Sequence, residues 1–222
     1  MPGEPWDAPT APYFDISEIA WNRAGTQLAY TCKKLTGKAY ALSTDSDVYL
    51  YDLASGQTRN LTEGMPGYDK YPVFSPDDSM LAFTSMERAG NESDKSRLFV
   101  ETLATGEKRY LTRNFDYNAG NVRWDGNGTL YFIAPVRGTY QVCRVGLADD
   151  SVRVLTAGAH DVNAITLNGG ELVGEVTSLS APTELFRIDP ADGTMTRITN
   201  TNPEIYDHIR MGEVRERWIR TT

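Results

Sequence analysis

The chain has 222 residues and a formal net charge of −8 at pH 7, from 22 Lys and Arg residues against 30 Asp and Glu residues. This acidic balance argues against a nucleic-acid partner, because phosphates are bound by basic surfaces. A hydrophobic content of 40% is enough to build packed cores, and no apolar run approaches the roughly 18 residues that a membrane-spanning helix needs. We therefore expect a folded protein with no nucleic-acid and no membrane partner.

The chain opens with a proline-rich segment, with four prolines in its first twelve residues. Proline fixes φ and lacks an N–H, so this density predicts an extended lead-in over residues 1–15. Its aromatic residues Trp6, Tyr13 and Phe14 either dock on the first folded unit or are the remnant of a preceding one. The segment lacks the basic start and apolar core of a secretory signal, which leaves the compartment open.

A strand–turn–strand pattern recurs four times along the chain. Its clearest copy, Pro72–Met86, reads PVFSPDDSMLAFTSM and places two apolar strands around a polar turn. Proline presets φ for such a turn, and Asp and Ser side chains hydrogen-bond to the nearby backbone. In each copy a large or apolar residue before the turn, which we call the anchor, lies seven positions before the first apolar residue after the turn. The pairs are Trp21/Leu28, Phe74/Leu81, Trp124/Tyr131 and Ile165/Leu172. We expect the aromatic anchors Trp21, Phe74 and Trp124 to lie in the core.

A second hairpin pattern follows each copy. The four segments are DVYLYDLASGQTRNLT, RLFVETLATGEKRYLT, QVCRVGLADDSVRVLT and TELFRIDPADGTMTRIT. A turn glycine (Gly56, Gly106 or Gly193) lies five residues before the last Leu or Ile, and Asp150 takes that place in the third copy. Each repeat therefore holds about four strands at a spacing of 41 to 53 residues between anchors, which is typical of a β-propeller blade.

The sequence thus predicts an all-β fold, a β-propeller segment of about four four-stranded blades. We assign residues 1–15 to the extended lead-in, residues 16–62, 63–112, 113–156 and 157–199 to blades 1 to 4, and residues 200–222 to an exit linker toward a catalytic domain. No device that would close a four-bladed ring is recognisable, so we expect a larger propeller. Open blade edges are expected to favour self-association.

Two insertions interrupt the first two blades between their second and third strands. They are KKLTGKAYALSTDSD at Lys33–Asp47 and ERAGNESDKSR at Glu87–Arg97, and the later blades are more compact. The second insertion is charged and contains glycine, which predicts a solvated loop. Long loops on a rigid scaffold often carry recognition, although they are also simply variable, and both interpretations stay open.

Residues that carry catalysis are scarce in this chain. There is no G-x-S-x-G motif, and the two histidines are His160, beside Asp161, and His208. Two residues adjacent in sequence, such as His160 and Asp161, rarely have the geometry of a catalytic triad. No spacing of Cys and His residues suits a zinc site. We therefore assign no catalytic, cofactor-binding or metal-binding residue, and we leave substrate-binding residues unassigned. Cys32 and Cys143 fall in non-adjacent blades, so we expect two buried, unpaired thiols.

The segments PVFSPDDSMLAFTS, DLASGQTRNLT and TLATGEKRYLT resemble the repeat of TolB-type propellers and of propellers in the prolyl oligopeptidase family of serine peptidases. The insertion at Ser85–Arg97 and the closing EVRERWIRTT make the chain most similar to bacterial dipeptidyl-peptidase and acylaminoacyl-peptidase homologues. The resemblance covers nearly the whole chain after Tyr13. It implies a parent with seven or eight blades and an α/β-hydrolase domain of the same polypeptide that carries the serine triad.

The resemblance implies a non-catalytic propeller region that gates and selects peptide substrates of a serine exopeptidase. It implies no cofactor, and a parent that is periplasmic or secreted, with a cytoplasmic location still open. The paired glutamates that hold the substrate amine in dipeptidyl peptidases have no motif match here. The alternative is a TolB-like protein-interaction propeller without a hydrolase domain. A third reading, a sugar- or lyase-type propeller with a central site, would need more ionisable residues on the first strand of each blade.

Overall fold

The structure is a computed structural model that describes residues 6–10, 15–212 and 214–221. These residues form sixteen strands, two short α-helices and one turn of 3-10 helix at Ile16–Glu18. The strands make four four-stranded sheets, each from four strands consecutive in sequence, and the paired strands run antiparallel. The predicted all-β fold with four-stranded blades is confirmed.

The strand bounds follow the repeat. The first sheet contains β1 (Ile19–Trp21), β2 (Gln27–Cys32), β3 (Asp47–Asp52) and β4 (Thr58–Asn60); the second contains β5 (Asp69–Phe74), β6 (Met80–Ser85), β7 (Arg97–Thr102) and β8 (Glu107–Tyr110). The third contains β9 (Gly120–Asp125), β10 (Thr129–Val136), β11 (Thr139–Gly146) and β12 (Val152–Val154); the fourth contains β13 (Asp161–Asn168), β14 (Glu171–Ser178), β15 (Ala181–Ile188) and β16 (Met195–Arg197). The helices are α1 (Gly37–Leu42) and α2 (Pro203–Tyr206).

The chain divides into two compact units. One comprises residues 1–132 and 144–153, and the other comprises residues 133–143 and 154–222. The first unit holds the first and second sheets, the second unit holds the fourth sheet, and the third sheet contributes strands to both.

The turn between β5 and β6 is built by side-chain hydrogen bonds, as its sequence predicts. The hydroxyls of Ser75 and Ser79 both donate to Oδ1 of Asp77 over 2.7 Å, and the N–H of Met80 donates to Oγ of Ser75 over 2.9 Å. These bonds stabilise the carboxylate and lower the pKa of Asp77. The pairs Trp21–Leu28 and Phe74–Leu81, which the repeat spaces seven residues apart, lie opposite each other in their sheets.

The turn of the outer hairpin uses the left-handed backbone region. The turn glycines Gly56, Gly106 and Gly193 have φ of 67°, 74° and 80°. Asp150 has φ of 52° and replaces glycine at the same place in the third sheet, because aspartate tolerates this region better than most residues.

A recurring threonine closes the outer edge of each sheet. In all four sheets the threonine after the last Leu or Ile accepts, through Oγ1, a backbone N–H from the third strand over 2.9–3.0 Å. The acceptors are Thr62, Thr112, Thr156 and Thr199, and the donors are Val48, Leu98, Val142 and Leu185. The neighbouring Leu or Ile N–H donates to the carbonyl of the same strand residue, so both backbone groups of that residue are satisfied.

The first two sheets pack face to face through a hydrophobic core. Ala29, Val48, Leu50 and Leu61 of the first sheet meet Phe74, Leu81 and Phe83 of the second. On its opposite face the first sheet carries a second cluster of Tyr30, Cys32 and Tyr49, against which Trp6 packs. Trp6 therefore packs on the first sheet, a contact that both alternatives for the lead-in allow, while Tyr13 and Phe14 lie outside the described residues. Cys32 and Cys143 are both buried and are not joined by a disulfide, as predicted.

The prediction that all three aromatic anchors are core residues is wrong for Trp21. Phe74 and Trp124 are each 8% exposed, but Trp21 is 58% exposed. Trp21 and Phe74 occupy equivalent positions, and the face that carries Phe74 is covered by the first sheet. The face of the first sheet that carries Trp21 is covered by Trp6 only near Ile19, at the other end of β1. The Trp21 indole therefore stays in solvent.

The fourth copy of the first hairpin has a different register from the first two copies. Leu172 lies opposite Leu167, and Ile165 lies opposite Gly174, so Ile165 and Leu172 are not a cross-strand pair. The reason is the turn, in which two glycines with positive φ connect Asn168 directly to Glu171. Such a two-residue hairpin is tighter than the longer turns of the first two sheets.

Candidate functional site

The two insertions meet at one end of the first and second sheets. The N–H of Gly90 in the second insertion donates to Oγ1 of Thr44 in the first over 2.7 Å. Tyr68, which precedes β5, donates its hydroxyl to Oε1 of Glu92 over 3.1 Å. We call this region the insertion site and define it by residues 33–47, 68–70 and 87–97.

One backbone bond anchors the first insertion on β5, and a second ties Tyr68, just before β5, to Met86, just after β6. The N–H of Asp69 donates to the carbonyl of Ser46 over 2.9 Å, and the N–H of Met86 donates to the carbonyl of Tyr68 over 2.9 Å. The middle of this insertion forms α1, a six-residue helix with no buried residue. The sequence indicated a long loop here and missed the helix, because six residues are too few to show helical periodicity.

The second insertion is organised around Asp94. Its carboxylate accepts hydrogen bonds from the Arg88 backbone over 2.7 Å, from Arg88 Nε over 2.9 Å and from Asn91 Nδ2. These bonds, with those of Arg88 the largest cause, lower the pKa of Asp94 to about 2. The predicted solvated loop is confirmed for Glu92 and Ser93, which are exposed, but Asp94 is buried. The loop therefore has its own internal framework.

Lys33 and Lys70 place two cations around aromatic rings in the insertion site. Nζ of Lys33 lies 4.4 Å from the ring centroid of Tyr40 and 5.5 Å from that of Tyr68. Nζ of Lys70 lies 4.8 Å from the Tyr68 ring and donates to Oε1 of Glu18 over 3.0 Å. Aromatic faces attract ammonium groups, so the rings hold both cations in place.

The pKa values of two acid groups of the insertion site, Asp69 and Asp45, are raised, which favours their neutral forms. Asp69 is fully buried, and burial raises its pKa to about 8. Burial, and then the nearby charge of Asp47, also raise the pKa of Asp45. Asp47 itself accepts hydrogen bonds from Thr62 and Tyr49, each over 3.1 Å. The site thus combines charged, neutral and aromatic groups within one region.

Neither histidine considered from sequence is paired with a carboxylate in a triad-like arrangement within the described residues, and Nε2 of His160 is buried without a hydrogen-bond partner there. The carboxylate of Asp161 accepts the N–H of Tyr140 over 2.8 Å, and burial lowers the pKa of the half-buried His160. His208 is exposed, with Nδ1 2.9 Å from the carbonyl oxygen of Glu204. Across the described ranges, no group of three or more His, Cys, Asp or Glu residues could hold a metal ion.

A groove of about 360 Å³ borders the first strands of the first three sheets. It is lined by Trp21, Phe74 and Trp124 among other residues, and Arg23 is the one ionisable residue among its described lining. The indole N–H of Trp124 donates a hydrogen bond to the carbonyl of Val73 over 3.0 Å. This groove offers little for acid–base chemistry, so the insertion site is the stronger candidate. Sequence reasoning had one signal for it, the matching place of both insertions in the repeat, but none for the residues that meet there.

No helix in the described part of the chain has the length and apolar character that crossing a bilayer requires. No protein-family model matches the sequence. Two curated relatives align with all of it: a dipeptidyl-peptidase 5 of Porphyromonas gingivalis, 39% identical over 224 residues, and a dipeptidyl-peptidase 5 of Porphyromonas endodontalis, 43% identical over 225 residues. The alignments cover 33% and 32% of those proteins. The chain therefore spans about a third of the length of these relatives.

Solved structures show the same fold at low sequence identity. The acylaminoacyl peptidase of Pyrococcus horikoshii aligns with a TM-score of 0.68 and 18% identity, over 89% of this chain and 29% of that one. A putative TolB of Agrobacterium tumefaciens aligns with a TM-score of 0.63 and 17% identity, over 81% of this chain and 63% of that one. The resemblance inferred from the repeat is thus confirmed: the chain is a homologue of dipeptidyl-peptidase 5 proteins and has the fold of acylaminoacyl-peptidase and TolB propellers.

Proposed function

We propose that this chain is the non-catalytic propeller region of a serine exopeptidase of the dipeptidyl- or acylaminoacyl-peptidase type, where it gates and selects peptide substrates. The observation that carries this proposal is the 39–43% identity to two dipeptidyl-peptidase 5 proteins along the entire chain. We assign bond cleavage to an α/β-hydrolase domain of the same polypeptide. The length of the relatives, about three times that of this chain, is consistent with such a domain.

The described nucleophiles and bases favour a selecting role over a cleaving one. Burial raises the pKa of the Cys143 thiol to about 12, so this sulfur is a poor nucleophile at neutral pH. The carboxylate next to His160 is occupied by a backbone N–H and does not orient the imidazole. Neither residue is arranged for nucleophilic catalysis.

The insertion site supports the selecting role. Peptides present amides, charged termini and varied side chains, and their recognition needs polar groups and apolar surface that converge on one region. The insertion site offers two lysines, the exposed carboxylates of Asp45 and Glu92, and the rings of Tyr40 and Tyr68. The hydrogen bond between the two insertions holds these groups together on a rigid sheet scaffold.

Activity measurements on two proteins test the proposal. We expect the 222-residue chain to show no turnover of dipeptidyl or acyl-aminoacyl p-nitroanilides, and the intact gene product to hydrolyse at least one class and to be inactivated by a serine-directed reagent. Turnover by the chain alone that survives repeated purification contradicts a non-catalytic region. An intact product without peptidase activity contradicts the proposal and favours the TolB-like interaction module, to be followed by partner capture.

Gating is tested separately on the intact gene product. Residues 87–96 are replaced by a short turn, and kcat/KM is compared for peptides of increasing length. We expect the shortened loop to relax the length preference with little effect on the smallest substrate, since only longer peptides reach the insertion site. An unchanged length profile contradicts gating by this loop while leaving the peptidase assignment intact.

A further inference from the structure

Lys33 is a buried cation for which the described residues provide no anionic partner. The residue is 5% exposed, yet its ammonium nitrogen has no hydrogen-bond acceptor and no carboxylate within 4.0 Å among those residues. Its described contacts are the faces of Tyr40 and Tyr68. Lysine is seldom buried without a partner, because the ammonium loses its hydration and gains nothing equivalent.

Lys70 shows how a lysine in the same region is normally satisfied. Its ammonium donates to Oε1 of Glu18 over 3.0 Å and to Oγ1 of Thr10 over 3.3 Å. Glu18 therefore forms an ion pair with Lys70. Lys33 also lies over the Tyr68 ring, and over that of Tyr40, but the described residues give it no acid in the place that Glu18 has beside Lys70.

The charges around Lys33 indicate what kind of ligand it would bind. Burial and then the charge of Lys70 lower the pKa of Lys33, while Glu92 and Asp45 act in the opposite direction. An incoming anion at hydrogen-bond distance would restore the lost solvation. Because Glu92 and Asp45 are exposed acids at the rim, they repel a dianion such as phosphate about twice as strongly as a monoanion. A single carboxylate fits these charges best.

We propose that Lys33 anchors a subsite that binds a carboxylate of a peptide ligand, between the rings of Tyr40 and Tyr68. The proposal rests on the proposed function, which it makes more specific. The two rings form apolar walls for the ligand carbon atoms, and the ammonium donates to the carboxylate oxygens. Tyr68 is in turn tied to the second insertion through Glu92, so both insertions contribute to the subsite.

Binding of matched peptides to the chain tests this subsite. Calorimetry compares a tetrapeptide with a free C-terminal carboxylate, its C-terminal amide, and an amide that carries one Asp side chain. We expect the free acid to bind at least about tenfold more tightly than the amide, the usual size of a charge-assisted hydrogen bond. Tight binding of the Asp-containing amide identifies a side-chain carboxylate as a second source and also supports the subsite. Equal binding of all three peptides, or tighter binding of inorganic phosphate, overturns it.

Two lysine variants locate the effect. Lys33→Met removes the charge and keeps a similar stem, so the preference for the acid should vanish. Lys38→Met, at an exposed position of the same insertion, should retain it. Removing a buried unpaired charge should not impair folding, which thermal unfolding of both variants verifies. Retention of the acid preference in Lys33→Met overturns the proposal.

The binding readout separates this inference from the proposed function. If the intact gene product lacks peptidase activity but the chain shows a Lys33-dependent acid preference, the subsite stands and the peptidase assignment fails. If the intact product is an active peptidase and the chain binds acid and amide equally, the assignment stands and the subsite fails.

Discussion

The backbone N–H of Gly90 donates a 2.7 Å hydrogen bond to Oγ1 of Thr44, a residue 46 positions earlier in the chain. This bond joins the insertion that carries Lys33 to the insertion that carries Glu92. Thr44 is only 5% exposed, so water does not easily replace it as the acceptor for Gly90. The proposed selecting surface depends on this contact, because neither insertion is part of a sheet ladder over most of its length.

Loss of the Thr44 hydroxyl should therefore loosen the insertion site. We expect Thr44→Val to lower the free energy of unfolding by about 1–2 kcal/mol, because the Gly90 N–H loses its acceptor. Chemical denaturation measures this change, and amide exchange at Gly90 should become faster. Thr36→Val is the control, since Thr36 is exposed and its side chain makes no capping bond. Equal effects of the two variants would show that the inter-insertion bond is not the cause.

Asp69 should make stability fall as the pH rises. Its folded-state pKa is about 8, raised by burial, whereas an unfolded Asp titrates near 3.9. The group therefore contributes its full stability below about pH 4, and this contribution is lost progressively as the pH rises toward 8. We expect Asp69→Asn to be more stable than the native chain by at least about 1 kcal/mol at pH 8 and to lose this advantage at pH 4.

Asp94→Asn is the control for that measurement, because its effect on stability should depend on pH in the opposite direction. The pKa of Asp94 is lowered to about 2, so its stabilisation is present above about pH 4 and is lost as the pH falls through 2. The variant should be less stable than the native chain at pH 8, and the difference should shrink as the pH falls through 2. Thermal unfolding of both variants across this range checks the signs, and a pH-independent difference for Asp69→Asn would contradict the assignment of a neutral buried carboxyl.

The threonine that closes each sheet should carry more stability than an exposed turn threonine. Oγ1 of Thr112, which is fully buried, accepts the N–H of the fully buried Leu98 over 2.9 Å. We expect Thr112→Val to cost about 1–3 kcal/mol, because a buried donor is left unsatisfied. The exposed Thr105 also accepts a backbone N–H, from Glu107 over 3.2 Å, and Thr105→Val should cost less than about 0.5 kcal/mol. Similar losses in urea unfolding would contradict this role.

Gly193 should tolerate no side chain, for a reason beyond its positive φ. A Cβ at this position would lie 1.9 Å from the carbonyl oxygen of Leu155, whereas a Cβ at Gly106 would meet no atom within 4 Å. Both glycines have φ between 74° and 80°. We expect Gly106→Ala to cost about 1 kcal/mol, the ordinary penalty of the left-handed region, and Gly193→Ala to cost about 3 kcal/mol or more. Matched denaturation curves test the difference, and equal costs would show that Leu155 moves away readily.

Much of the fold was predictable from local patterns. Apolar runs separated by turn residues located the hairpins, and Asp150 was recognised as the replacement for a turn glycine, which its φ of 52° explains. The register of each hairpin was not predictable from the spacing. The two-glycine turn after Asn168 places Ile165 opposite Gly174 and not opposite Leu172, since a spacing rule does not distinguish a two-residue turn from a longer one.

The candidate site was only partly predictable. The place of the two insertions within the repeat pointed to one end of neighbouring blades, and that end is where they meet. The partners of Lys33 were not predictable, because Tyr40 follows it on a short helix and Tyr68 belongs to the next sheet. Similarly, Trp21 and Phe74 share one sequence pattern but differ in exposure.

The sequence by itself determined the strands, the turns and the four-sheet repeat, because alternation of side chains and turn chemistry act between residues close in the chain. Only the tertiary structure decided which sheet faces are covered and which distant groups meet. Burial and electrostatic environment depend on atoms from other parts of the chain. The exposed indole of Trp21, the raised pKa of Asp69 and the position of the Lys33 ammonium over two tyrosine rings therefore emerge only once the sheets are packed.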